Sequence, residues 1–298
     1  MTVALPGTRW RAVAALLAIG AAWGATIPMT KLAVSTGYQP FGLIFWQLAM
    51  ATVLLGGWLA RRGRLPSLLR AWPLFLMVAL LGTLVPNSFS YRAAAELPAG
   101  VMAIVIAMVP MFALPVALSL GRERPRLMRF LGVALGAVAV VMIVGPEASL
   151  PEPEKAPWVL IALLAPLAYA FEGNLLSRFG TQGLDPVEVL FGASALGVVI
   201  ALPLALGSGQ WASPTGAWDV AKWAIVINGV LHVAAYAGYI ALVGWAGAVF
   251  ASQVAYVVTG AGVLWSMLLL GERYSPWVWA ALLLMLAGLT LVRPRGTA

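Results

Sequence analysis

The chain has 298 residues, of which 62% are hydrophobic and only 9% are charged. Soluble helices need a polar face, so this composition excludes a soluble fold, and the apolar runs leave no length for a separate soluble domain. The net charge of +8 does not mark a nucleic-acid binder, because the basic residues sit in short connections between apolar runs; with no cysteine there is no disulfide framework, thiol nucleophile or cysteine metal site.

Ten apolar runs follow one another, each near the ~20–25 residues that cross a bilayer. The first begins at Trp10 and ends near Ala33, too long for a signal-peptide core of about 7–15 residues, and reads as a retained helix. It offers Trp23, Thr26 and Thr30 on one face, with Pro28 as a candidate kink. The second is expected at about 40–60, opening on Pro40. The third, about 72–92, carries a stripe of Thr83, Asn87, Ser90 and Tyr91. Pro86 beside Asn87 frees a carbonyl that substrate or water could meet; packing against a neighbouring helix is the alternative reading of this stripe. The fourth, about 98–119, follows after a very short connection, and Pro98 argues against one continuous helix there. Pro110 is a second candidate kink. In the fifth, about 127–145, Gly132 and Gly136 permit close helix contact, within the chain or between two copies.

The sixth, about 157–179, holds Glu172, the one acid well inside a predicted helix, on the face of Tyr169. A carboxylate at that depth is either a coupling or substrate group, or the partner of Arg178 near the inner end. The seventh is expected at about 186–206 and the eighth at about 220–241. The eighth has the clearest polar stripe: Asn228, His232, Tyr236 and Tyr239, spaced four, four and three. His232, the only histidine, is either a proton-sensitive cavity group or a satisfied packing residue. The ninth, about 247–270, offers Gln253, Tyr256 and Gly260; the tenth is expected at about 276–293. Trp10, Trp72, Trp158, Trp211, Trp218 and Trp277 lie near helix ends, where an aromatic belt explains them.

With the N-terminus inside, the inner side holds Arg9, Arg11, Arg61, Arg62, Arg64, Arg70, Arg122, Arg124, Arg126, Arg129, Arg178, Arg293 and Arg295. The outer side holds Lys31, Arg92, Lys155, Lys222 and Arg273. That is 13 against 5, the bias expected when both termini are cytoplasmic. The longer loops, one of them carrying Glu147, fall outside.

The two halves, 1–147 and 148–298, repeat each other. Leu120-Gly-Arg-Glu123-Arg124 and Leu270-Gly-Glu272-Arg273 each precede a helix, the two glutamates standing 149 positions apart. The same offset carries Thr83, Asn87 and Ser90 onto His232, Tyr236 and Tyr239. An offset of 146 carries Pro40 onto Pro186, Trp23 onto Tyr169 and Thr26 onto Glu172. Five helices per half is an odd number, so the second copy is expected upside down, with a site near mid-membrane between the copies.

Ten helices in two halves, each with a Gly/Glu turn before its last helix, resemble the drug/metabolite transporter superfamily and its EamA group. The Trp23-Gly-Ala-Thr26 segment looks like that group's opening motif, whereas Ala168-Tyr-Ala-Phe171 departs from it. Within the group the chain looks most like the YddG-type aromatic amino-acid exporters of bacterial inner membranes. The resemblance implies efflux by alternating access through a central cavity lined by helices one, three, four, six, eight and nine. Its expected substrate-binding residues are Trp23, Thr26, Thr83, Asn87, Tyr91, Tyr169, Glu172, Asn228, His232, Tyr236, Tyr239, Gln253 and Tyr256.

Together these readings predict an all-α polytopic membrane protein, two inverted five-helix repeats, a monomer or weak homodimer in the lipid bilayer, with no cofactor and no metal. The expected substrate is an aromatic or other hydrophobic, neutral amino acid, because the pocket is aromatic and polar but poor in charge. Export of a drug cation or another small metabolite is the alternative. An enzyme is not expected, since one histidine, no cysteine and one acid at depth draw no zinc triad or acid pair. Nothing reads as a charged or carbonyl-lined channel.

Overall fold

The computed structural model describes residues 6–121, 123, 125–145 and 150–292. Arg122, Arg124, Glu147, Arg293, Arg295 and the junction expected at 147/148 lie outside the described residues, as does the side chain of Arg9.

Every regular element among the described residues is helical, as an apolar chain requires if its backbone is to be satisfied without water. The helices are α1 (Pro6–Ser35), α2 (Pro40–Arg61), α3 (Trp72–Ala79), α4 (Val85–Glu96), α5 (Ala99–Ile106), α6 (Val109–Ser119) and α7 (Leu127–Val144). They continue as α8 (Pro157–Ala162), α9 (Leu164–Phe179), α10 (Pro186–Gly207), α11 (Val220–Ala246), α12 (Ala248–Ala251), α13 (Val254–Leu270) and α14 (Pro276–Val292). Eight helical stretches are long and apolar enough to cross a membrane; α13 and α14, at 17 residues each, fall just short.

Four of the expected helices are interrupted. The third contains a π turn, Leu80–Leu84, between α3 and α4. Pro86 has no N–H to offer the carbonyl of Gly82, so the regular ladder cannot run through and the turn widens ahead of it. The fourth breaks at Ala107–Met108, and Pro110 opens its second piece. The sixth breaks at Leu163, three residues before Pro166, and the ninth breaks at Ser252–Gln253. Pro28, by contrast, lies inside α1 without ending it.

The halves repeat in their contacts as well as their order. After α2, Arg64 reaches the start of α10, 2.6 Å from Asp185 and 3.0 Å from Glu188. Asp185 there accepts the N–H groups of Val187 and Glu188 as the helix cap. After α10, Gln210 returns the arrangement, its Oε1 accepting Phe41 N–H at the start of α2 at 3.1 Å. Gly121 and Gly271 both end a helix with φ near 66° and 67°, and each leads into the repeated glutamate turn.

The main core joins α2, α3, α4, α5, α7 and α14. Two glycine contacts set close helix approaches. A Cβ on Gly24 of α1 would lie 2.8 Å from Gly262 N of α13, and one on Gly132 of α7 would lie 2.7 Å from Gly288 O of α14. The small-residue spacing in the fifth helix thus serves packing inside the chain.

Candidate functional site

Two polar clusters meet inside the helix bundle. The first lies between α1 and α11. Asn228 Nδ2 donates to Thr30 Oγ1 at 2.7 Å and to Thr26 O at 3.3 Å. Next to it the Trp23 ring is met edge-on by three rings of α11: His232 at 5.9 Å, Tyr236 at 6.3 Å and Tyr239 at 6.1 Å between centroids. These are favourable aromatic geometries. The stripe spaced four, four and three therefore faces α1 along its whole length.

The second cluster ties α2, α4 and α9 together. Asn87 Nδ2 donates to Gln47 Oε1 at 3.0 Å and to Tyr91 OH at 3.2 Å, while its Oδ1 accepts Tyr169 OH at 3.0 Å. Tyr91 OH donates to Gln47 Oε1 at 2.5 Å. Asn87 is only 6% exposed, so each of its polar atoms needs the partner it has. A hollow of about 20 Å³, lined by Thr30, Gln47, Tyr91 and Asn228, joins the two clusters. That is room for one water among polar partners.

Glu172 stands three residues beyond Tyr169 on α9, against the π turn. A Cβ on Gly82 would lie 2.8 Å from its Oε1, so a larger residue there would push the carboxylate aside. The turn that Pro86 imposes, and the missing side chain within it, together open space for an acid at depth. Among the described residues Glu172 makes no ion pair or hydrogen bond. Arg178 stacks on Phe179 at 5.8 Å instead of pairing with it.

The repeat is visible in these contacts. Trp23 meets Tyr236, and Tyr169 meets Asn87. Trp23 and Tyr169 are equivalent in the sequence repeat, as are Asn87 and Tyr236, so the same pair of positions touches twice, each time between the halves.

The remaining expected residues sit differently. Thr26 gives its hydroxyl to Trp23 O at 2.6 Å within its own helix, and what α11 uses is its carbonyl. Thr83 lies in the π turn and Gln253 caps α13 through its backbone; neither side chain makes a hydrogen bond among the described residues. Tyr256 packs against the main core. Asn174 bridges α9 to Ala113 O of α6 at 3.1 Å. Gln47 is the residue sequence reasoning missed. It lies in the second helix, which the family resemblance left out of the cavity lining. The available signal was an amide alone in the apolar run from Phe41 to Met50. Among the described residues no three His, Asp or Glu side chains gather as a metal site.

Comparison with known proteins supplies the rest. Residues 10–145 and 156–293 each match the EamA-like transporter family. The chain is 27% identical over 285 residues to the "uncharacterized inner membrane transporter YedA" of Escherichia coli K12, covering 93% of this chain and 89% of that one. The same figures hold for YedA of Escherichia coli O157:H7. A protein of known crystal structure shares the fold, with a TM-score of 0.61, 20% identity, and coverage of 95% of this chain and 97% of that one.

Proposed function

The chain belongs to the EamA-like transporter family, and on that premise we propose that it exports neutral amino acids, aromatic and other hydrophobic ones foremost, across a bacterial inner membrane. In this reading α13 and α14 also cross, giving ten spans. The halves are inverted five-helix repeats with both termini cytoplasmic, as the 13-to-5 distribution of Lys and Arg favours. Transport proceeds by alternating access around the two polar clusters, and the chain resembles the YddG-type exporters in substrate class.

One observation carries the substrate reading. An unpaired carboxylate, Glu172, shares the bundle interior with an aromatic group of Trp23, His232, Tyr236 and Tyr239. A carboxylate and ring faces attract an ammonium. The side-chain NH2 of Gln47, whose Oε1 alone is engaged by Asn87 and Tyr91, offers donors for a carboxylate, and the rings take an apolar side chain. Among the described residues no basic cluster lines the region, so an anion is disfavoured. The same carboxylate favours the second reading, an organic cation such as a drug, which needs no carboxylate partner. Glu172 is also the group through which transport would couple to protons.

Purified protein in liposomes tests the reading with labelled Phe, Trp, Met and Thr. Saturable movement of one or more of them, weakened by Tyr236 or His232 substitution, supports it. Transport of a labelled organic cation that none of these amino acids competes for replaces it with the second reading. Movement of none of these substrates rejects both.

A further inference from the structure

The two glutamates of the repeated turn do different things. Glu272 reaches across the halves: its carboxylate accepts Ala99 N–H at 2.8 Å and Gly100 N–H at 3.2 Å, at the first turn of α5. Tyr274 OH reinforces the contact, bonding both Glu272 and the Gly100 amide. Lys31 at the end of α1 adds a bond to Ala95 O at 3.0 Å. This end of the bundle is therefore stitched shut between the α4–α5 and α13–α14 connections. Only a shallow charged vestibule of about 220 Å³ remains above it. Glu123, the repeat equivalent of Glu272, is turned to its own half instead, pairing with the buried Arg129 at 2.7 Å.

Burial follows the same asymmetry. Residues 99–105 are buried without exception, and Leu97 is 0% exposed. Their described repeat equivalents at the opposite end, 250–254, are less buried. Of 250–254, Ala251 and Val254 are buried, but Ser252 is exposed and Phe250 and Gln253 are half-buried. Ala246, the equivalent of Leu97, is half-buried, and Gly244 and Trp245 beside it are exposed. Equivalent positions of one repeat differ in this way when one mouth is closed and the other open.

We propose that Glu272 and Glu123 are alternating latches, one for each mouth. In the state seen here Glu272 holds the outer mouth closed while Arg129 retains Glu123. In the opposite state Glu272 lets go of α5, and Glu123 leaves Arg129 to take the backbone N–H groups at 248–249, the equivalents of Ala99 and Gly100. Each carboxylate exchanges one set of partners for another, so neither is left desolvated and unpaired during the cycle. The names inner and outer rest on the orientation proposed above; the exchange of latches does not rest on the substrate.

A chain with no cysteine allows a direct test by single-cysteine labelling at two equivalent reporters, Leu97→Cys and Ala246→Cys, with a membrane-impermeant maleimide in sided vesicles. In the otherwise unchanged protein Ala246→Cys labels from the cytoplasmic side and Leu97→Cys is protected. Labelling of Ala246→Cys from the other side would overturn the orientation alone. Glu272→Ala, and separately Arg129→Met, raise labelling at Leu97→Cys about five- to tenfold, the scale of one lost helix cap, and lower it at Ala246→Cys. In the Arg129→Met background Glu123 has no partner at its own mouth, so adding Glu123→Ala removes only the opposite-state latch and returns both reporters toward their starting values. Rising labels at both reporters mean loosened packing and overturn the proposal. So does unchanged labelling, or a failure of Glu123→Ala to reverse the shift.

Discussion

Replacing Asn87 by alanine removes three hydrogen bonds at once, to Gln47, Tyr91 and Tyr169, from a residue that is 6% exposed. Reckoned as in a water-soluble protein, each orphaned partner would cost about 1–3 kcal/mol. Hydrogen bonds between membrane helices measure lower, about 0.6 kcal/mol on average and about 1.7 at most, because the unfolded chain in lipid also finds partners. The lower scale applies here, so Asn87→Ala should lose roughly 2–5 kcal/mol and Tyr169→Phe about 0.6–1.7. Unfolding of the purified protein in mixed micelles, read in both single variants and the double, isolates the Asn87–Tyr169 bond. Once Asn87 is gone, Tyr169→Phe should cost almost nothing further, giving a coupling near the single Tyr169→Phe value. Additivity within about 0.3–0.5 kcal/mol would mean that the two side chains do not share a bond, and that the α4–α9 contact is wrongly drawn.

Gly24→Ala places a Cβ against backbone on both sides, 2.8 Å from Gly262 N and 2.9 Å from Val258 O, so α1 and α13 must separate. A loss of about 1–3 kcal/mol in the same unfolding assay is expected, and a neutral result would contradict that close approach. Glu172→Gln keeps the shape and removes the charge. Acceleration of efflux by an imposed pH gradient should disappear in this variant while exchange without a gradient persists; a gradient effect that survives unchanged would remove Glu172 from coupling. Trp23→Ala takes away the ring that His232, Tyr236 and Tyr239 surround and should weaken phenylalanine half-saturation by roughly five- to thirtyfold, or about 1–2 kcal/mol. Trp23→Phe should recover most of that loss, and equal losses in the two variants would argue against ring contact with substrate.

Much of this architecture was legible in the sequence, for physical reasons. The eight long apolar helices follow from run length, and the polar stripe of α11 follows from helical period alone, since spacings of four and three leave one face toward α1. The repeat offsets made Trp23 equivalent to Tyr169 and Asn87 to Tyr236, though not the contacts of Trp23 with Tyr236 and of Tyr169 with Asn87 that these equivalent positions make. Interruptions were harder to read. Pro28 and Pro86 look alike in sequence, yet only Pro86 is preceded by a π turn, and glycine at 82 is what makes that turn useful to Glu172. Thr26 looked like a lining residue because hydroxyls are polar; its helix carbonyl satisfies it first. Gln47 escaped notice because a lone amide has no periodic partner on its own helix. Its partners, Asn87 and Tyr91, lie on another helix altogether.

Binding of amino acids beside the Trp23 aromatic group, in space that widens during the transport cycle, is the central claim. Tyr239→Cys places a single thiol at the edge of the Trp23 aromatic group in a protein that has no other. Maleimide applied from the cytoplasmic side should modify it, and saturating phenylalanine should slow that modification severalfold while an equal concentration of glutamate does not. A thiol that never reacts, or one whose rate ignores phenylalanine, would contradict the central claim.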